Sequence, residues 1–220
     1  MVPEELGTSK SGFASGALVF PGGKVDTQDS ALLHTDLAEG FDGLDPFEAA
    51  CRVAALREAY EEAGVLLAHR ASDGALIPGK ALEALSHNRA PIASGALPFA
   101  DFLRDQQLRL AAERAVPVAR WITPPESPKR FDTLFYVAAA PQDQTAAHDG
   151  GESVDSVWLR PAQAIAEGEA GKWLIIVPTR FSLEWLAQYR TVAEVMAAAR
   201  TRAVRPITGR VEVRDGVEMF

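Results

Sequence analysis

The segment Arg57-Glu58-Ala59-Tyr60-Glu61-Glu62-Ala63-Gly64-Val65 brings together the side chains best able to do chemistry. On a helix at 100° per residue, Glu61 follows Glu58 by three positions and Glu62 by four. The three carboxylates then share a sector about 100° wide. Arg57 precedes Glu61 by four and is spaced to pair with it and fix its rotamer. Carboxylates this close repel one another, and unpaired, at least one would hold a proton more tightly. A hard divalent cation removes the conflict. Mg²⁺ and Mn²⁺ favour oxygen donors, and Mg²⁺ keeps waters that substrate phosphates replace. Taken alone, the helix reads equally well as a solvated acidic face.

Phe20-Pro21-Gly22-Gly23-Lys24-Val25-Asp26, just upstream, breaks that tie. A glycine pair after a strand lets the backbone approach a ligand closely, and its carbonyls are able to join a metal shell. Together the two segments resemble the signature of the Nudix hydrolases, G-x5-E-x7-R-E-U-x-E-E-x-G-U, where U is a bulky aliphatic residue. Gly23 stands at the first glycine, and Arg57, Glu58, Glu61, Glu62, Gly64 and Val65 match the second half. Three positions depart from the pattern. Asp29 replaces the first glutamate, keeping the charge and shortening the reach. The spacer from Asp29 to Arg57 holds 27 residues instead of seven, an insertion of 20. Ala59 replaces the first U. Either Asp29 or an acid nearer the helix, such as Glu48 or Asp45, fills the glutamate's role.

Phe20–Asp26, the insertion and the helix resemble one branch of that family, which includes peroxisomal coenzyme A diphosphatases and many bacterial relatives. Trp121-Ile-Thr-Pro-Pro and Lys129-Arg130-Phe131-Asp132-Thr133 are similar to that branch too. The resemblance spans roughly residues 12–180, with 70–115 as a branch-specific insertion. It implies a metal-dependent hydrolase that cleaves the diphosphate linkage of a nucleoside diphosphate derivative. Glu58, Glu61, Glu62 and the Gly23 carbonyl would hold Mg²⁺ or Mn²⁺, and Arg57 would orient Glu61. Glu58 or Glu152 would take the proton of the attacking water. Glu152 fits the placement E-x5-W before Trp158, and reads equally well as a plain loop acid. Lys24, Lys129 and Arg130 are candidates for substrate phosphates, though each is more often a surface cation. Coenzyme A or an acyl-CoA is a candidate substrate. The stretch before Phe20 carries Lys10, however, and lacks the arginine of coenzyme A diphosphatases. The partner is a small-molecule diphosphate, with no nucleic acid and no membrane, and a homodimer is compatible with the reading. The rival readings are a Nudix-fold nucleotide sensor without turnover and an N-terminally truncated inactive form.

These side chains must be held by recognisable elements. Ala17–Phe20 reads as a buried strand stopped by Pro21-Gly22-Gly23, and 24–44 as an irregular excursion. Asp45 as N-cap, Pro46 at the first helical position and Glu48 as the capping-box partner open a helix that ends at Ala63 before Gly64. Val53, Leu56, Tyr60 and Ala63 form its core stripe. Val65–His69 is extended, and a helix is expected near Phe99–Arg114. Strands are expected at Pro117–Thr123, Phe131–Ala139 and Val154–Leu159. Helices follow from Pro161 to about Gly168, and over about 179–189 and 191–202. Val211–Val213 and Val217–Phe220 resemble a hairpin. This order predicts an α/β or α+β sandwich. In Nudix terms it is an α/β/α sandwich with a mixed sheet, an insertion inside the Nudix box and extra helices toward the C-terminus. It is expected as one domain over 1–220, with insertions at about 27–45 and 70–115. Residues 1–14 show no clear element. Because Pro3-Glu4-Glu5 follows Met1-Val2, the first family strand is expected to be missing, or replaced by the Val211–Phe220 hairpin.

The chain has 220 residues, a formal charge of −8 and 47% hydrophobic residues, which excludes intrinsic disorder and disfavours a phosphate-backbone binder. The single Cys51 forms no internal disulfide and reads as a small helix packer. His34, His69, His87 and His148 show no ligand spacing. The first residues lack the basic and apolar regions of a signal peptide, and no apolar run approaches bilayer length, so a cytoplasmic location is expected.

Overall fold

The computed structural model of the chain describes residues 2–7, 17–41, 43–147, 153–209, 212–214 and 217–219. Strands β1 (Val2–Gly7) and β2 (Leu18–Val19) precede α1 (Thr27–Leu32), β3 (Ala38–Glu39) and the long helix α2 (Pro46–Ala63). Then come β4 (Ala68–Arg70), α3 (Gly79–Ala84), α4 (Arg89–Ala93), α5 (Phe99–Asp105) and β5 (Leu108–Ala111). β6 (Val116–Ile122), β7 (Asp132–Val137) and β8 (Ser153–Leu159) follow. The rest is α6 (Pro161–Glu169), α7 (Val177–Leu186), α8 (Val192–Thr201), β9 (Pro206–Thr208), β10 (Glu212–Arg214) and β11 (Val217–Met219). β1 lies between β2 and β8, antiparallel to both. β6 pairs antiparallel with β7 and parallel with β9. β5 pairs parallel with β3 and antiparallel with β4. The pairing is therefore mixed, as expected of an α/β Nudix fold.

α2 forms where its signals predict. The Asp45 carboxylate accepts from Phe47 N at 3.0 Å and Glu48 N at 3.3 Å. Gly64 ends the helix at φ +66°, a conformation costly for any residue with a Cβ. Val53, Leu56, Tyr60 and Ala63 are buried as the core stripe. Tyr60 stacks on Phe102 at 5.2 Å between centroids and donates its hydroxyl to Leu85 O at 2.8 Å. On the other side, Tyr136 of β7 donates to Glu48 O at 3.2 Å. α2 is thus enclosed from more than one direction.

Several sequence expectations change. Val2–Gly7 is a strand at the centre of β2–β1–β8, so this strand is present. Its proline is tolerable because, among the described residues, β2 pairs with β1 only at Glu5 and Leu6, which puts Pro3 beyond that ladder. The tail hairpin forms as expected, but among the described residues β10 and β11 pair only with each other. The 24–44 excursion contains α1 and β3. The helix expected over Phe99–Arg114 stops at Asp105, and Gln107 at φ +53° turns the chain into β5. Leu108 and Leu110 are buried with Arg109 between them, and pairing on both edges of β5 overrides helical propensity. β3 and β5 come from the two stretches read as separate insertions, and they pair with each other. Among the described residues, no helix is long and apolar enough to cross a membrane.

Candidate active site

Arg57 is the hub of the site. Its Nε donates to Asp29 Oδ1 at 2.8 Å and its Nη2 to Asp29 Oδ2 at 3.1 Å, a two-pronged pair. Nη2 also donates to Lys24 O at 3.1 Å, and Nη1 to Glu61 Oε1 at 3.0 Å. Glu58 Oε1 lies 3.0 Å from the same Nη1. Burial alone would lower the Arg57 pKa, but the carboxylates of Asp29, Glu58 and Glu61 outweigh it and hold the guanidinium firmly charged. Arg57 therefore orients Glu61 as its spacing predicts.

Asp29, not Asp45 or Glu48, pairs with Arg57. Asp29 is 2% exposed and closes a capping box at the start of α1, where its carboxylate accepts from Asp26 N at 2.7 Å. The insertion follows this acid in the chain, so Asp29 stays beside the glycine loop. Asp45 is occupied as the α2 cap, and Glu48 pairs with Arg52 at 2.7 Å instead of completing a capping box.

The carboxylates are less exposed than an amphipathic surface helix would leave them. Glu58 is 9% and Glu61 6% exposed. Burial pushes the Glu58 carboxyl up to about 7, with Arg57 opposing and Glu61 reinforcing the rise. Gly23 lies directly against Glu58, and an added Cβ would overlap its carboxylate. The next residue back, Gly22, donates its N–H to Glu62 Oε2 at 2.9 Å. The glycine loop thus meets two of the three helix carboxylates.

Among the described residues, no three His, Cys, Asp or Glu side chains are already drawn together into a cation shell. The donor set nevertheless fits a hard divalent ion. Glu58, Glu61 and Glu62 supply oxygen donors from one helical face, and Gly23, having no Cβ, lets the loop backbone lie against the Glu58 carboxylate.

The remaining predicted residues are distributed as follows. Lys24 is exposed next to Gly23, with its carbonyl tied to Arg57. Lys129 lies over the Phe131 ring at 5.1 Å, and Arg130 Nε donates to Thr123 O at 3.3 Å, both in the β6–β7 turn. Beside that turn, Arg120 pairs with Asp132 and lies over Phe47 in the first turn of α2. Phe47 is eleven residues, about 16 Å of helix axis, from Glu58. Glu152 and His148 lie outside the described residues. Cys51 is half-buried on α2, where burial raises its thiol to about 11, in keeping with a packing role. Sequence reasoning missed Arg89, whose guanidinium bonds the carbonyls of Tyr60, Glu61 and Glu62. Side chain-to-backbone bonds of this kind leave no spacing pattern to read.

The chain spans 60% of the acyl-coenzyme A diphosphatase NUDT19 of Xenopus laevis, and 86% of the chain aligns with it at 23% identity. A Caenorhabditis elegans protein named as nudix hydrolase 7 is 28% identical over 181 residues, 81% of this chain and 52% of that protein. The chain therefore spans little more than half the length of these curated relatives. The crystal structure of a Nudix hydrolase from Alicyclobacillus acidocaldarius superposes with a TM-score of 0.74 at 23% identity. That match covers 89% of this chain and 86% of the other, and is a likeness of fold. The family model of the NUDT19 Nudix domain matches residues 35–186, which include all of α2. With that match over well more than half its length, the chain belongs to the Nudix hydrolase family.

Proposed function

We propose that this chain hydrolyses the diphosphate bridge of a nucleoside diphosphate derivative, with coenzyme A or an acyl-CoA as the first candidates, and that it uses Mg²⁺ or Mn²⁺. The observation that carries the reading is the Arg57 hub, which fixes Glu61 and Glu58 while Asp29 fixes Arg57. A nucleotide-sensing pocket has no need of three acids held in this register. Glu58, Glu61, Glu62 and the Gly23 carbonyl would hold the cation. Bound there, it supplies neutralisation of the diphosphate oxygens and a lowered pKa for its water.

The chain's own residues do the rest. Arg57 keeps Glu61 in one rotamer and touches no substrate. Glu58 is one candidate to take the proton of the attacking water, and Glu152 is the other. Lys24, exposed beside Gly23, is proposed to meet the diphosphate. Lys129 and Arg130 are proposed to meet the distant part of an extended substrate. The relative named as an acyl-coenzyme A diphosphatase supports the choice of substrate class. The charge of −8 favours a small metal-complexed substrate over nucleic acid, and the lone cysteine supports a cytoplasmic setting.

The test is phosphate release, after a coupling phosphatase, from coenzyme A, an acyl-CoA, ADP-ribose and NADH, with and without Mn²⁺. Release that depends on Mn²⁺ is expected from at least one of them. Nucleotide binding by calorimetry with no release from any compound would make the protein a sensor.

A further inference from the structure

α2 ends, like any helix, with carbonyls that its own ladder cannot satisfy. Gly64 N–H still closes the ladder on Tyr60 O at 3.0 Å, but the next two amides turn elsewhere: Val65 N–H donates to Ala59 O at 3.1 Å and Leu66 N–H to Gln144 Oε1 at 3.1 Å. Ala147 N–H takes the Ala63 carbonyl at 2.9 Å. Arg89 takes the carbonyls before it. Its Nε donates to Tyr60 O at 3.0 Å and Glu61 O at 3.1 Å. Its Nη2 donates to Glu61 O at 2.9 Å and Glu62 O at 2.6 Å. One planar group thus spans three consecutive peptide units, and its charge sits at the negative end of the helix. Two of those units carry Glu61 and Glu62. Arg89 comes from outside the motif, as the first residue of α4 in the stretch between β4 and β5.

The geometry points to Arg89 as a positioning residue for the acidic turn: it fixes the peptide units of Glu61 and Glu62, and with them the spacing of the carboxylates that would hold the cation. This inference rests on the metal-dependent reading above. The competing account is that Arg89 only ties its stretch to α2, as the Tyr60 hydroxyl does through Leu85.

Mn²⁺ titrations followed by the EPR signal of free Mn²⁺, without substrate, separate the two accounts. They are run on the wild type, Arg89→Ala, Arg89→Lys and Tyr60→Phe, alongside thermal melting and the phosphate-release panel. Arg89→Ala is expected to weaken Mn²⁺ binding on the order of 10-fold. Arg89→Lys is expected to recover melting temperature more fully than Mn²⁺ affinity, because one ammonium cannot span three carbonyls. If Arg89→Ala does not fold, Arg89→Lys carries the comparison. Tyr60→Phe is expected to lower the melting temperature while leaving Mn²⁺ affinity within about a factor of two. Wild-type Mn²⁺ affinity in the folded Arg89 variants overturns the inference, as does an equal loss in Tyr60→Phe. A wild type that neither binds Mn²⁺ nor hydrolyses any panel compound overturns the functional reading and this inference with it. An active wild type with equally active Arg89 variants overturns this inference alone.

Discussion

Five oxygens from Asp29, Lys24, Glu58 and Glu61 surround the Arg57 guanidinium. Arg57→Ala should lower kcat by about 10- to 100-fold by loosening Glu61, and Arg57→Lys should recover only part, since lysine lacks the planar fork. Full activity in the Lys variant would show Arg57 to be a point charge. Glu61→Gln or Glu62→Gln should lower turnover far more than substrate binding, by about two to four orders of magnitude. Activity of both within about threefold of wild type in subsaturating metal would remove them from the metal site. Glu58 makes a separate prediction about stability. Its folded pKa of about 7 lies above the ordinary 4.5, so the fold favours the neutral carboxyl. That contribution, about 3 kcal/mol, is complete below the unfolded value and is lost as pH rises through the folded one. In EDTA, Glu58→Gln should therefore gain on the wild type in urea unfolding between pH 5 and pH 8, and parallel behaviour would contradict the burial effect. The carboxylate register was legible because a period of 3.6 places three acids on one face. Its pairing with Glu61 aside, the distant partner of Arg57 was not. Counting reached Asp29, but sequence spacing does not say on which side of that acid an insertion lies.

Elements with chemical punctuation, and the longer strands β6, β7 and β8, were the readable ones. Asp45, Pro46 and Gly64 bracket α2, Pro161 opens α6 and Thr191 caps α8 through Glu194 N. β3 and β5 carry no such marks, because two- and four-residue strands owe their existence to the neighbour they pair with. β1 was misread for the related reason that Pro3 excludes only the ladder it does not join. The glycine loop gives a test at this scale. Gly23→Ala would drive a methyl group into the Glu58 carboxylate, whereas a Cβ at Gly22 meets open space. Activity should fall on the order of 100-fold in Gly23→Ala, a displacement of the proposed site carboxylate by an ångström or so, and stay near wild type in Gly22→Ala. Equal activities in a steady-state assay would separate the loop from the acid.

At the scale of the molecule, cation binding and folding are linked. A ligand at 100 times its dissociation constant stabilises the folded state by about 2.7 kcal/mol, which at this chain length raises the melting temperature by roughly 5–10 °C. Mn²⁺ should produce that shift in calorimetry, and Glu61→Gln should abolish most of it; an equal shift in the variant would place the ion elsewhere. The fold class was legible from the alternation of strands and helices, but the joining of distant strands was not, since no local pattern records who pairs with whom. Val2 pairs opposite Leu159, and Gly7 opposite Ser153. That pairing has a consequence for synthesis. A ribosome adding about 5–20 residues per second makes β8 roughly 8–30 s after β1. Throughout that interval β1 has β2 as its neighbour at Glu5 and Leu6, while the rest of its hydrogen-bonding edge waits. The acidic helix is translated long before the sheet is complete, so a nascent chain stalled before residue 153 would carry the proposed metal ligands on an unfinished scaffold, with a strand edge open to any extended segment nearby.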